Sequence, residues 1–200
     1  MIAIIDYGTG NLKNVINALD YLGIPSEITS NTKQLAQAEK MILPGVGAFV
    51  PAMEQLTKSG LAEIIKERIS KGVPLLGICL GMQLLFCESE EDGLTQGLNI
   101  IKGRVIRFAG SLKIPQIGWN SLEFVKQTLI CQGIQNNSYV YFAHSYYCIP
   151  DDEDSITAWS DYGGRFAAIV EKNSIIGLQF HPEKSQQVGL VMLKNFYELY

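Results

Sequence analysis

Cys79 stands in the pentapeptide Gly77-Ile78-Cys79-Leu80-Gly81, between an apolar run that reads as a strand and a pattern of apolar residues at helical spacing. This is the setting of a nucleophile elbow with cysteine in place of serine. The nucleophile there sits on a strained strand-to-helix turn, and flanking side chains would collide with neighbouring backbone. A helix beginning at Leu80 would also aim the positive end of its dipole at the sulfur and favour the thiolate. The same five residues also suit a buried cysteine between two packing glycines.

A thiolate nucleophile needs a base, and the chain has two histidines, His144 and His181. His181 is followed by Pro182 and Glu183, and proline holds the residue before it extended. Residues two apart in an extended segment face the same way, so His181 and Glu183 are predicted on one side. There the carboxylate can fix the imidazole tautomer, which completes a Cys-His-acid arrangement. A strand-end histidine beside a solvated glutamate is the alternative. His144 also ends a predicted strand, in Phe142-Ala143-His144-Ser145-Tyr146, but has no acidic residue at a short offset. It reads as a packing or substrate-shaping residue. Pro44-Gly45-Val46-Gly47 closes the third predicted strand, where backbone N–H groups could approach an oxyanion, with the Leu80 N–H as second donor. Gln83 follows Cys79 by one helical turn and stays on its face. Cys87, Cys131 and Cys148 lack any elbow context and read as structural.

The elements that would position these groups alternate regularly at first. Strands are predicted at Ile2 to Ile5, Ser26 to Thr29, Met41 to Leu43 and Pro74 to Cys79. Helical patterns run from Leu12 to Leu22, Thr32 to Ala38, Phe49 to Thr57, Leu61 to Ile69 and Leu80 to Cys87. Such alternation implies right-handed βαβ units on a parallel sheet. Beyond Gly103 the rhythm changes to strands. They are predicted at Val105 to Phe108, Ser121 to Val125, Tyr139 to Ala143, Ile156 to Ser160, Ala167 to Val170 and Ile175 to Phe180, and a helix closes the chain from Val188 to Leu199. The expected fold is one α/β domain spanning residues 1–200, with a strand-rich second half.

Composition narrows the function classes. Sixteen basic against twenty acidic residues give a net charge of −4, with no Lys/Arg cluster to meet a nucleic acid. Apolar stretches such as Val73 to Cys79 are too short to span a bilayer, and the start has neither a charged leader nor a cleavage site. Four scattered cysteines make neither a disulfide framework nor a zinc site. Tyr7-Gly8-Thr9-Gly10-Asn11 lacks the Lys-Ser/Thr of a phosphate loop and the third glycine of a dinucleotide fingerprint. A soluble cytoplasmic protein without nucleic-acid or membrane partners is expected.

Taken together, Pro44-Gly45-Val46-Gly47, Gly77 through Gln83 and His181-Pro182-Glu183 resemble the class I (triad) glutamine amidotransferases, over essentially the whole chain. Asp6 to Asn11, Gly118-Trp119-Asn120, Tyr141 to Tyr146 and Gln179 to Ser185 narrow the resemblance to glutaminase subunits of a synthase in histidine biosynthesis. The resemblance implies an open, mixed, mostly parallel central sheet flanked by helices, of flavodoxin-like type. It implies that Cys79 attacks the side-chain amide of L-glutamine. His181 would deprotonate Cys79 and then protonate the leaving ammonia, and Glu183 would orient His181. Val46 and Gly47 would form the oxyanion strand opposite the Leu80 N–H, while Gln83, Glu91, Ser145 and Tyr146 would hold glutamine. Asn11, Trp119, Tyr141 and Lys184 would face a (β/α)8-barrel synthase (cyclase) subunit in a heterodimer. No cofactor and no metal are implied. Thr9 stands where some members carry proline, and Ser145 where some carry threonine.

With no second site legible in the sequence, an amidotransferase reading requires the ammonia acceptor to bind another polypeptide, across an interface near the triad. Such a division favours gating, with the oxyanion donors around Val46 mis-set in the isolated subunit and corrected by the partner's ligand. Three other readings stand beside it: a glutaminase for amino-sugar synthesis, a stand-alone cysteine hydrolase of γ-glutamyl bonds, and a regulatory module without turnover.

Overall fold

The computed structural model describes residues 1–110 and 112–200. Its strands are β1 (Ile2–Ile5), β2 (Ser26–Thr29), β3 (Lys40–Gly45), β4 (Leu75–Cys79), β5 (Glu88–Ser89), β6 (Thr95–Gln96) and β7 (Gly103–Arg107). The second half adds β8 (Gln116–Ser121), β9 (Glu123–Phe124), β10 (Tyr139–His144), β11 (Tyr146–Pro150), β12 (Ile156–Asp161), β13 (Arg165–Lys172) and β14 (Ile175–Leu178). The helices are α1 (Leu12–Tyr21), α2 (Thr32–Leu35), α3 (Phe49–Lys58), α4 (Leu61–Ser70), α5 (Leu80–Leu84) and α6 (Gln186–Leu199).

Eight strands form the central sheet in the order β2-β1-β3-β4-β14-β13-β12-β9. The pairs from β2 through β14 are parallel, and those from β14 through β9 antiparallel. The sheet is thus mixed and mostly parallel, as expected. The strands β1, β4 and β14 are apolar at every position because both faces are covered. In β1, Ile2 and Ile4 join a core with Val15 and Leu19 of α1 and Met192 and Phe196 of α6. Ala3 and Ile5 turn the other way, onto Phe49 and Leu56 of α3 and Leu61 and Ile65 of α4. Two smaller sheets, β11-β7-β5-β6 and the pair β10-β8, hold the remaining strands.

Several elements depart from the sequence reading. The helix predicted over Thr32 to Ala38 is the single turn α2, and the one predicted to reach Cys87 stops at Leu84. The carbonyls of Leu84, Leu85 and Phe86 accept backbone N–H groups from Leu98, Asn99, Ile100 and Ile101, so they are unavailable to a further helical turn. β5, β6 and β11 have no predicted counterpart, and β8 has one only at its last residue. In β8 the outward-facing Ile117 and Trp119 are apolar and exposed, which hides the alternation that marks a half-buried strand. The strand predicted at Ser121 to Val125 divides, its first residue ending β8 and its middle forming β9 on the central sheet.

The two elbow glycines are required by close approach. α5 lies so near β3 that a Cβ on Gly81 would sit 1.7 Å from the Leu43 carbonyl oxygen, and one on Gly77 would sit 2.9 Å from the Gly81 backbone. Neither neighbour is a flexible side chain. Gly81→Ala is therefore expected to destabilise the fold by about 3 kcal/mol or more, read as a lowered denaturant midpoint. A change within about 0.5 kcal/mol would show that α5 can back away from β3 freely.

Candidate active site

Strand register brings the elbow together. Gly45 at the end of β3 pairs with Cys79 at the end of β4. On the other side Leu178 of β14 pairs with Ile78, so the next residue, Gln179, arrives beside Cys79. Three adjacent parallel strands thus end on one line, the position where open α/β sheets gather ligands. Cys79 is the junction residue into α5, with φ 55° and ψ −110°. Holding a non-glycine residue there costs about 1–3 kcal/mol, a strain characteristic of functional turns. The side chain is buried, with Sγ 3.8 Å from the Ala143 carbonyl oxygen.

His181 lies close enough to this sulfur for the cysteine to favour a proton on its imidazole. Its Nδ1–H donates to Glu183 Oε1 at 2.8 Å, and both side chains are almost fully buried. Burial opposes a charge on His181, but the neighbouring Cys79 and the hydrogen-bonded Glu183 carboxylate outweigh it, and the net direction is upward. The backbone behind this pair differs from the expectation. His181 is extended, but Pro182–Lys184 form one tight helical turn that folds the Glu183 carboxylate back under the imidazole. Ser185 holds the turn in place, its Oγ donating to the His181 carbonyl at 2.6 Å and accepting the Tyr141 N–H at 3.0 Å.

A cavity of about 180 Å³ opens over Cys79. Val46, Gly47, Leu80, Gln83, Glu91, Ser145 and Tyr146 all line it, and so do Pro115, Ala143 and His144. Glu91 is placed by a hydrogen bond from the Phe49 N–H, 2.8 Å away at the start of α3, where the helix dipole favours a carboxylate. Burial raises the affinity of Glu91 for a proton, against that hydrogen bond. The acidic run Glu88 to Asp92 around it is a short strand followed by a turn. Larger surface hollows near Glu27 and Glu39, and near Met53 and Thr95, bring no cysteine or histidine together.

The four residues expected to face a partner lie outside this cavity. Trp119 and Tyr141 are cross-strand neighbours on β8 and β10, their rings edge to face at 5.8 Å, and Lys184 Nζ lies over the Tyr141 ring at 5.8 Å. Ile117 and Tyr139, 65% and 61% exposed, extend this apolar surface. Asn11, just before α1, borders a crevice shared with His181 and Glu183 and too tight for water.

His144 sits within 5.6 Å of the rings of Phe108, Phe142 and Phe166, ring centre to ring centre. Its Nδ1–H donates to the Tyr146 carbonyl at 2.7 Å, and Nε2 is buried without a partner among the described residues. Burial pushes its pKa down to about 4, the neighbouring His181 adds to this, and the bond to Tyr146 opposes it. The unfolded chain takes up this proton near pH 6.5 and the folded chain only near 4, so stability is lost as pH falls between those values. The loss reaches about 3 kcal/mol below pH 4. Unfolding curves of His144→Gln should lack most of this acid slope. A slope equal to that of the parent would assign it to other groups.

Sequence reasoning missed Gln179, Pro115 and Ala143 as residues near the sulfur. For Gln179 the available signal was its place two residues before His181 at the end of an apolar run.

Comparison with known proteins agrees in fold and family. A family model described as glutamine amidotransferase class-I matches residues 3–199. The imidazole glycerol phosphate synthase subunit HisH of Chlorobaculum tepidum is 50% identical over 200 residues, covering 99% of this chain and 100% of that protein. The protein of the same name from Caldanaerobacter subterraneus is 51% identical over 199 residues, covering 100% and 98%. Among solved structures, a crystal structure of a glutamine amidotransferase superposes with a TM-score of 0.77 at 19% identity, covering 98% of this chain and 99% of that one.

Proposed function

The chain belongs to the class-I glutamine amidotransferase family, and from that premise we propose that it is the glutaminase subunit of an imidazole glycerol phosphate synthase. It hydrolyses L-glutamine at Cys79 and delivers ammonia to a (β/α)8-barrel synthase (cyclase) subunit. That subunit uses it to make imidazole glycerol phosphate, with aminoimidazole carboxamide ribotide as by-product. The observation that carries the chemistry is a strained, buried cysteine facing an imidazole that a buried carboxylate holds by Nδ1.

In this proposal glutamine enters the cavity side chain first, held by Gln83, Glu91, Ser145 and Tyr146. The Cys79 thiolate attacks the amide carbon, and His181 holds the proton taken from the thiol. Negative charge on the tetrahedral oxygen is met by the Leu80 N–H and by the backbone of the Val46–Gly47 turn. The C–N bond breaks as His181 passes its proton to the departing nitrogen, leaving a γ-glutamyl thioester. Water, deprotonated by His181, then releases glutamate and restores the thiol. Ammonia is delivered toward the face carrying Asn11, Trp119, Tyr141 and Lys184, where the barrel subunit docks. Among the described residues no helix is long and apolar enough to cross a membrane.

The test is glutamate formation by this chain alone and with a barrel-type synthase carrying its ligand. A rise of about tenfold or more on assembly is expected, because the partner's ligand sets the Val46 backbone for the oxyanion. Equal turnover in both conditions would favour a stand-alone hydrolase. Coupling only to an amino-sugar synthase would change the acceptor and leave the glutaminase reading in place.

A further inference from the structure

Gln179 is fully buried, carries no role in the chemistry above, and lies against the reacting sulfur. The parallel pairing of β14 with β4 sets it there, one residue beyond the Leu178–Ile78 pair. Which end of its amide meets the sulfur follows from a chain of hydrogen bonds that begins at a backbone carbonyl. The Tyr146 oxygen can only accept, so the Gln83 group 2.9 Å from it is the NH2. The second hydrogen of that NH2 goes to Gln179, 3.2 Å away, so the Gln179 atom there is the oxygen. Its own NH2 must then face Cys79 Sγ, at 3.9 Å.

We propose that Gln179 is a positioning residue of this site, whose side-chain amide donates to the Cys79 sulfur and ties it to the Gln83–Tyr146 wall of the substrate cavity. An N–H donor interacts more strongly with a thiolate than with a thiol, and it restrains the direction in which the sulfur points. The Gln83 amide sits between Tyr146 and Gln179, so the wall that holds substrate and the atom that attacks it share one hydrogen-bonded frame. The proposal rests on the reading of Cys79 as nucleophile.

The experiment uses the chain assembled with its synthase and two substitutions of similar length. Gln179→Met removes the donor, and Gln179→Glu replaces it with an acceptor. The rate of Cys79 alkylation by iodoacetamide is followed against pH, with the modified peptide identified by mass. In both variants the alkylation midpoint should move to higher pH, by about one pH unit for Gln179→Met. The turnover number at pH 7 should fall about tenfold, with KM changed by less than about threefold. A structural role alone would lower stability and leave the alkylation midpoint in place, and that result would overturn the proposal. A third measurement needs no substitution at Gln179. Its side-chain NH2 resonance in the wild-type assembly should shift as Cys79 titrates and hold still in Cys79→Ser, and an unmoved resonance in the wild type would equally overturn it. Should a glutamine-analogue chloroketone fail to label Cys79 in the wild type, the nucleophile reading itself fails. Labelling with an unchanged alkylation profile in the Gln179 variants removes only the present proposal.

Discussion

Cys79→Ala is expected to lower glutamine-dependent synthesis by on the order of 10⁴-fold or more, while synthesis driven by added ammonia persists in the same assembly. The asymmetry follows from the division of labour proposed above: alanine removes the only thiol at the junction of β4 and α5, and the acceptor chemistry belongs to the other subunit. The decisive comparison is the ratio of the two activities, measured on one preparation. Loss of both would show that Cys79 holds the fold or the interface, and retention of both would remove it from catalysis. The backbone supplies an independent check. At φ 55° alanine inherits the strain of the turn, whereas glycine does not. Cys79→Gly should therefore unfold at higher denaturant than Cys79→Ala, by about 1 kcal/mol, although both are inactive. Equal midpoints would mean that the turn relaxes once the sulfur is gone.

The second large effect is expected at Glu183. Glu183→Gln keeps the shape and removes the charge that, with Cys79, holds the proton on His181 against burial. The amide can also offer Nδ1 the wrong partner and admit the wrong tautomer. Turnover should fall by on the order of 10²–10⁴-fold. The sign of the accompanying pH change is fixed. His181 has its proton affinity raised by these neighbours, so without the carboxylate it loses the proton at lower pH. The alkaline limb of the turnover profile should then move toward acid. Glu183→Asp, which keeps the charge on a shorter arm, should retain more of the rate and move the limb less. Stability should move the other way, because Glu183 Oε2 is buried with no partner among the described residues and a neutral amide is cheaper to desolvate than a carboxylate. A variant that is slower but no less stable would separate catalytic from structural worth at this position. An unmoved alkaline limb would detach Glu183 from the proton on His181.

The surface that carries Trp119, Tyr141 and Lys184 follows from the same economy of short elements. Among the described residues β8 and β10 pair only with each other; their outer face presents Ile117, Trp119 and Tyr139, while their inner face buries Val140, Phe142 and His144. The last of these strands hands its carbonyl at Tyr141 to the His181 N–H, which links the proposed docking face to the base by one backbone hydrogen bond.

Much of this molecule is legible along the chain. The continuous apolar runs of β1, β3 and β4, the stripe of α1 and the glycines at 77 and 81 are local patterns, written within a few residues of each other. They specify strand, helix and elbow without reference to the rest of the fold. The pairing of His181 with Glu183 is local as well, although the turn that achieves it, one tight helical turn instead of an extended segment, depends on Ser185 gripping β10. Ser145, Tyr146 and Glu91 were placed by resemblance, since nothing in their own neighbourhoods marks them. What the chain alone determined was the order of its elements and the residue types able to do covalent chemistry. What only the tertiary structure decided was which side chains share the sulfur's surroundings. Gln179 comes beside Cys79 because β14 enters the sheet next to β4 in one register, and that register is set by packing between segments a hundred residues apart. Periodicity reports which face of a strand is buried; it carries no record of the strand that will lie alongside.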